Sequence, residues 1–211
     1  MLRRLGTPGL LVLALVLVPG AAAPLSASDT YAIDKNHSSV EFRIRHFASK
    51  VSGRFGDFEG SIQADPAKPD ASSVSFTIKT TSIDTNNGHR DDDLRSPNFF
   101  DAAKFPEISF KSSKMTSTGK DQYAVTGTLT MHGVSKEVTL PVTYLGSAKD
   151  PRGNEHAGFE LNTKLNRKDW GIDWNKTLDS GGLMLSDDVD VTIDLETVKK
   201  APEVPGAPAA K

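Results

Sequence analysis

The chain has 211 residues, with 25 Lys or Arg against 27 Asp or Glu for a formal charge of −2, and it contains no cysteine. That length fits one domain of ordinary size or two small ones, and the near balance of charge argues against capture of nucleic acid, which needs a concentrated basic surface. Without cysteine there is no disulfide framework, thiolate zinc site, iron–sulfur ligation or thiol catalysis. A hydrophobic fraction of 37% and a mean hydropathy of −0.36 exclude a helical integral membrane protein.

Arg3 and Arg4 precede an unbroken apolar run from Leu10 to Val18, which Pro19 and Gly20 end before small residues from Ala21 to Ala27. This is the layout of a secretory signal peptide, and the run is too short to span a bilayer. Residues 1–27 are therefore expected to be a leader, with cleavage after Ala22 or Ala27. Removing Arg3 and Arg4 leaves 23 basic against 27 acidic residues, a charge of −4. About a third of the remaining chain is hydrophobic, low for a tightly packed globule. An exported chain without cysteine fits a bacterial periplasm better than an oxidising eukaryotic exterior.

From Tyr31 onward the period is two. Val40, Phe42 and Ile44 alternate with charged neighbours; Phe58, Ile62 and Ala64 share a face with Gly56 and Gly60; Val74, Phe76 and Ile78 follow. Then come Ile108 with Phe110, Tyr123 to Met131, Val138 to Tyr144, Ala157 to Leu165 and Val189 to Leu195. These eight segments, each with one apolar and one polar face, predict eight antiparallel strands covered on one side only. Closure into a barrel removes exposed edges, and eight strands enclose either packed side chains or one small ligand. A two-sheet sandwich is the alternative. Gly56 and Gly60 imitate a helical GxxxG, but the period places them in a strand, where they permit a bend or a close approach.

Two stretches break the rhythm. Thr81 to Pro106 carries Asp91-Asp92-Asp93 ahead of Leu94-Arg95, then Pro97, and predicts two short helices in one long loop. Asn166 to Leu185 holds both tryptophans of the chain, Trp170 and Trp174. Insertions of this length are usually functional. The tail from Lys199, with Pro202, Pro205 and Pro208, reads as disordered, leaving a single domain over residues 28–198.

The histidines, His37, His46, His89, His132 and His156, form no i, i+4 pair and no HExxH pattern, so no metal site is expected; any close pair would have to be made by folding. The aspartate run lacks the spaced oxygens and turn glycine of a calcium loop and reads as a helix terminus paired with Arg90 or Arg95. No GxSxG elbow, phosphate loop or dinucleotide fingerprint occurs. No catalytic residue and no cofactor are expected.

Several stretches resemble the YceI-like family of lipocalin-like polyisoprenoid-binding proteins. They are Tyr31-Ala32-Ile33-Asp34 with His37-Ser38, Phe42 and His46; Gly53, Phe55, Phe58 and Gly60; and Arg90-Asp91 with Leu94-Arg95-Ser96. Asn98-Phe99-Phe100-Asp101 and Phe105-Pro106 follow, then Gly127 to Met131 with Gly133-Val134, and Arg167 with Asp169-Trp170-Gly171. Asn98 stands where the family more often has an acidic residue. The resemblance implies an elongated eight-stranded antiparallel barrel, with short helices in its two insertions and a hydrophobic tunnel for a long isoprenoid chain. It also implies an exported protein without metal or redox cofactor.

On that basis Phe42, Phe58, Phe76, Phe110 and Phe159 are candidate tunnel residues, with Ile44, Ile62, Ile78, Leu129 and Met131 on the same strand faces. Phe99, Phe100, Trp170 and Trp174 join them from the insertions; each of these side chains reads equally well as plain core. A chain-like apolar ligand would supply the burial that a sparse core lacks, at about 0.8 kcal/mol per methylene. His46, Arg90 and Asp93 are candidate polar contacts for a head group. The expected function is a periplasmic carrier of a polyisoprenoid or isoprenoid-quinone-like lipid, touching the membrane transiently, with a link to envelope stress. Two other readings stay open: an extracytoplasmic enzyme built around His46, and a stress-related interaction module docking a membrane enzyme or a second copy of itself as a homodimer.

Overall fold

Alternating apolar and polar residues can satisfy both their backbone and their apolar face only by pairing edge to edge around a shared interior. The computed structural model describes residues 29–65, 68–179 and 182–201, so residues 1–27, expected to be a leader, and the end of the expected tail lie outside it. In it the eight periodic segments become eight staves of a closed antiparallel barrel. The first stave is β1 (Asp29–Ile33) and β2 (Ser39–His46), interrupted by a 3-10 turn at Lys35–His37. The second is β3 (Ser49–Phe55) and β4 (Phe58–Ala64), and the third β5 (Ser73–Lys79) and β6 (Ile83–Asp84). Five long strands complete the ring: β7 (Glu107–Gly119), β8 (Gln122–Met131), β9 (Val134–Lys149), β10 (Glu155–Asn166) and β11 (Leu185–Lys199).

Every stave pairs with its neighbours in the chain, and β11 closes the ring. It pairs with β2 from Leu185↔His46 to Asp194↔Ser39, then with β1 from Thr197↔Ile33 to Lys199↔Tyr31. Lys199, expected to begin the disordered tail, is thus the last residue of the closing strand. The up-and-down order puts both long connections at one end of the barrel, here called the upper end, together with the β2–β3 and β8–β9 hairpins. The second of these hairpins turns on His132 (φ 51°) and Gly133 (φ 76°), the two left-handed residues a two-residue turn of this kind requires.

One α-helix occurs among the described residues, α1 (Gly88–Arg95). Asn87 caps it by accepting the Arg90 amide at 3.1 Å, and Asp92 pairs with Arg95 at 3.2 Å. The second helix expected in this stretch is absent. Pro97 holds Ser96 extended (ψ 170°), and the chain folds back through turns, Phe100 and Ala102 donating their amides to Leu94 and Arg95 carbonyls. The other long connection opens with a 3-10 turn at Arg167–Trp170 that ends on left-handed Gly171. No helix among the described residues is long and apolar enough to cross a membrane.

The first staves curve tightly where glycine faces inward. Gly60 lies opposite Phe76, and a Cβ there would meet the Ser75 carbonyl oxygen at 2.5 Å and Ile33 Cδ1 at 2.8 Å. Gly60→Ala is therefore expected to lower the unfolding free energy by about 1–3 kcal/mol, measured by urea denaturation; an unchanged midpoint would show that the stave can relax outward.

Candidate functional site

Because side chains alternate across each strand, one parity of every stave points inward. On β2 these are Val40, Phe42 and Ile44; on β5, Val74, Phe76 and Ile78; on β11, Val189, Val191, Ile193 and Leu195. They do not fill the interior. A cavity of about 920 Å3 runs between them, from Tyr31, Ala64 and Tyr144 near the lower end to His46, His89 and Arg90 at the upper end. That volume is at the top of the range for sites enclosing a small organic ligand. Leu185, Val189, Val191, Ile193 and Leu195 of β11 line it, so its long dimension, from Leu185 to Leu195, is roughly 25 Å for a strand tilted as in small barrels.

Twelve of the fourteen apolar residues singled out in the sequence line this cavity: Phe42, Ile44, Ile62, Phe76, Ile78, Phe99, Phe100, Phe110, Leu129, Met131, Phe159 and Trp174. Phe58 and Trp170 do not. Phe58 opens β4 beyond the strand break and is 4% exposed, its ring spent on Phe76 at 5.8 Å. Trp170, 2% exposed, donates its indole N–H to the Leu129 carbonyl at 3.2 Å, while His132 Nδ1 meets its own carbonyl at 3.1 Å. The reason is a gap in the wall. The β9–β10 ladder runs only from Glu155↔Lys149 to Leu161↔Val142, and Trp170 pins the chain leaving β10 onto the β8–β9 hairpin above it.

The polar candidates converge at the upper end, where the exposed side chains of Asn87, His89 and Asp93 join the lining. Arg90 is braced there. Its Nε donates to Thr85 Oγ1 and its Nη2 to the Thr85 carbonyl, both at 2.8 Å. Thr85 in turn donates its hydroxyl and amide to the buried Asp91 carboxylate, at 2.5 and 2.9 Å. Asp91, read in the sequence only as a helix-terminal charge, is the anchor of this chain of bonds. Asp93 accepts from Asn98 Nδ2 at 3.3 Å. His46 lies half-buried at the rim with its ring edge-on to Phe47.

Arg167 stands out in the sequence only as part of the family resemblance, with no role assigned to it. It is 5% exposed and donates to three carbonyls, Ile172 at 2.6 Å, Trp174 at 2.8 Å and Ser186 at 3.0 Å. Burial pulls its guanidinium below the ordinary value, against the opposing charges of Asp187 and Asp173. It stitches the start of the second long connection to its end and so holds Trp174 over the cavity. Nothing in a lone arginine after an apolar strand signals this; the carbonyls it serves are set by the fold.

At the lower end Tyr31 donates its hydroxyl to Glu155 Oε1 at 2.9 Å. Burial first, and then Glu155, push its phenol up to about 12. A folded-state value above the free phenol's 10 means stabilisation that is complete below pH 10 and lost as pH rises towards 12. Ultraviolet titration should therefore show a tyrosinate step near pH 12 that Tyr31→Phe removes; a full set of steps near pH 10 in the folded wild type would refute it. Arg167→Lys, which keeps the charge but loses the planar fork, should cost about 2–3 kcal/mol and speed proteolysis between residues 171 and 179. Equal unfolding curves for variant and wild type would count against the clamp.

Comparison with known proteins places this geometry. A family model for the YceI-like domain matches residues 31–197. The UPF0312 protein of Azotobacter vinelandii is 41% identical over 184 residues, covering 86% of this chain and 92% of that one. Among solved structures, Burkholderia cenocepacia BcnA superposes with a TM-score of 0.69 at 26% identity, over 78% of this chain and 98% of that one. A Campylobacter jejuni YCEI protein gives 0.64 at 35% identity, over 74% and 90%. A polyisoprenoid binding domain from Saccharophagus degradans, implicated in plant cell wall breakdown, shares the fold with a TM-score of 0.60 at 16% identity, over 81% and 98%. A match that begins inside β1 and runs to the buried Thr197 of β11 leaves no stave unaccounted for: the chain belongs to the YceI-like family.

Proposed function

We propose that the protein is a periplasmic binding and carrier protein for a long-chain polyisoprenoid or isoprenoid-quinone-like lipid. The observation that carries this reading is the shape and chemistry of the cavity. It is long, walled mainly by aliphatic and aromatic side chains along its length, with a cluster of charged and polar groups at the upper end. A hydrocarbon chain gains about 0.8 kcal/mol for each methylene it withdraws from water into such a wall. Arg90, held in place by Thr85 and Asp91, offers a fixed cation to an anionic or carbonyl-bearing head group. The polyisoprenoid binding domain of Saccharophagus degradans has the same fold, and the leader-like residues 1–27 support export.

A carrier rather than a catalyst is the better fit to the residues. His46, the histidine on which an enzyme would be built, has no hydrogen-bonded carboxylate among the described residues to orient it; its ring contact is with Phe47. Phe47 and Leu183, 45% and 40% exposed, stand at the same end, the Phe47 amide bonded to the Met184 carbonyl. They are suited to touching a bilayer while a lipid passes through the rim.

Protein purified from the periplasm of an expressing bacterium should release close to one equivalent of a long-chain lipid on solvent extraction, identified by mass spectrometry. Val191→Trp, which puts an indole into the middle of the tunnel, should fold and yet retain at least tenfold less lipid. Protein that carries no lipid and takes up no polyprenol from micelles would refute the reading.

A further inference from the structure

The first stave is broken, and the break has chemistry on its outer face. Between β1 and β2 the chain turns through Asp34 to Ser38, while β11 runs past without interruption. Glu196 is the β11 residue opposite the break. Its carbonyl accepts the Asp34 amide at 2.9 Å and the Ser38 hydroxyl at 3.3 Å, and its own amide donates to Ser38 Oγ at 3.0 Å. Its backbone is therefore fixed from both sides. Its side chain has the opposite parity to Leu195, which lines the cavity, and so points outward.

There it meets two groups of the turn. Asp34, His37 and Glu196 each present a ligand atom, and the three atoms lie within 4.8 Å of one another. Asp34 already orients the imidazole, Oδ2 lying 2.9 Å from His37 Nδ1, and its other oxygen accepts the Asn36 amide. A second imidazole stands behind Glu196. His156 Nδ1 is 2.8 Å from Glu196 Oε1, and its buried Nε2 lies 3.5 Å from Asp150 Oδ2 without a hydrogen bond. Asp150 is held by the amides of Arg152 and Asn154 and by the Asn154 side chain. The lysines nearest in the chain are engaged elsewhere, Lys35 with Asp57 and Lys199 with Asp29.

We propose that Asp34, His37 and Glu196 form a binding site for a divalent transition-metal cation of the zinc class. His156 and Asp150 form the outer support of the Glu196 ligand. The donor set decides the class: imidazole with carboxylate oxygens suits zinc and its neighbours, whereas calcium and magnesium ask for oxygen alone. Three protein ligands leave a fourth, water-filled position, as in open zinc sites. Ligating carboxylates in such centres are themselves held by outer hydrogen bonds, as Glu196 is by His156. The His37 side chain is 64% exposed, so it is free to swing the small distance that closes the three atoms on an ion. The bound ion replaces the His37–Asp34 hydrogen bond and ties residues 34–37 to β11, bracing the seam at which the barrel closes. The site lies outside the cavity and does not depend on what the cavity holds.

The test is calorimetric titration of the full chain, purified without a histidine tag and stripped with chelator, with zinc chloride. One equivalent of zinc should bind at micromolar concentration or below, and magnesium and calcium chloride should give no heat of binding. His37→Ala and Glu196→Gln should each weaken binding at least tenfold, whereas His89→Ala, at the opposite end of the barrel, should leave it unchanged. Circular dichroism of the metal-free variants checks their fold. If Glu196→Gln does not fold, the exposed His37 carries the test alone. No saturable uptake, or uptake lowered equally by His89→Ala, would overturn the proposal and mark the zinc as adsorbed to surface histidines.

Discussion

The structure depends on one strand satisfying two partners. The first stave is too irregular to present a continuous edge, because the turn at Lys35–His37 separates β1 from β2. β11 bridges that interruption, pairing with β2 along most of its length and with β1 at its end. Open edges left at this seam would expose a row of unpaired amides and carbonyls, costly in themselves and a template for aggregation. With the seam closed, the inward parity of all eight staves is committed to a common interior.

That commitment explains why an interior with so many apolar residues is not solid. A closed ring of eight staves has a diameter fixed by strand number and stagger, not by the side chains inside. Where the inward residues are large, as at Phe42 with Phe55 and Phe58 with Phe76, they pack against one another. Along β11 they are aliphatic, and the remaining width becomes a tunnel. The polar groups of the upper end come from the two long connections, which gather there and bring Arg90, Asp91 and Arg167 with them. Each of these buried or braced charges is answered by carbonyls, a hydroxyl or a carboxylate, as a low-dielectric interior requires. The same connections that gather polar groups there also hold Trp174 over the cavity.

Much of the architecture was legible in the primary structure, and the exceptions have physical causes. All eight periodic segments map onto the eight staves, because a half-buried strand writes its two faces directly into alternate residues. β3 escaped notice since its inward residues, Val51, Gly53 and Phe55, include a glycine that carries no hydrophobic signal. The second helix after α1 failed because Asp101 turns left-handed (φ 45°) only four residues after Pro97, its amide closing back onto the Ser96 carbonyl. Trp170 and Phe58 were read as lining although they are wall and packing, for aromatic character alone does not say which cavity, if any, a ring faces.

What the residues determine by themselves is local: where strands run, which face of each is apolar, where a chain must turn, and which chemistries are excluded for want of a thiol or a motif. What only the tertiary structure decides is register. Glu196 meets Asp34 and His37, and Arg167 meets the carbonyls of Ile172, Trp174 and Ser186, because β11 and the upper connections settle at one particular offset. A shift of one residue would turn every side chain of a strand to the other face. The cavity, the clamp above it and the carboxylate–imidazole cluster on the outer face are all consequences of that offset, set by contacts between residues up to 170 positions apart, which no local pattern can encode.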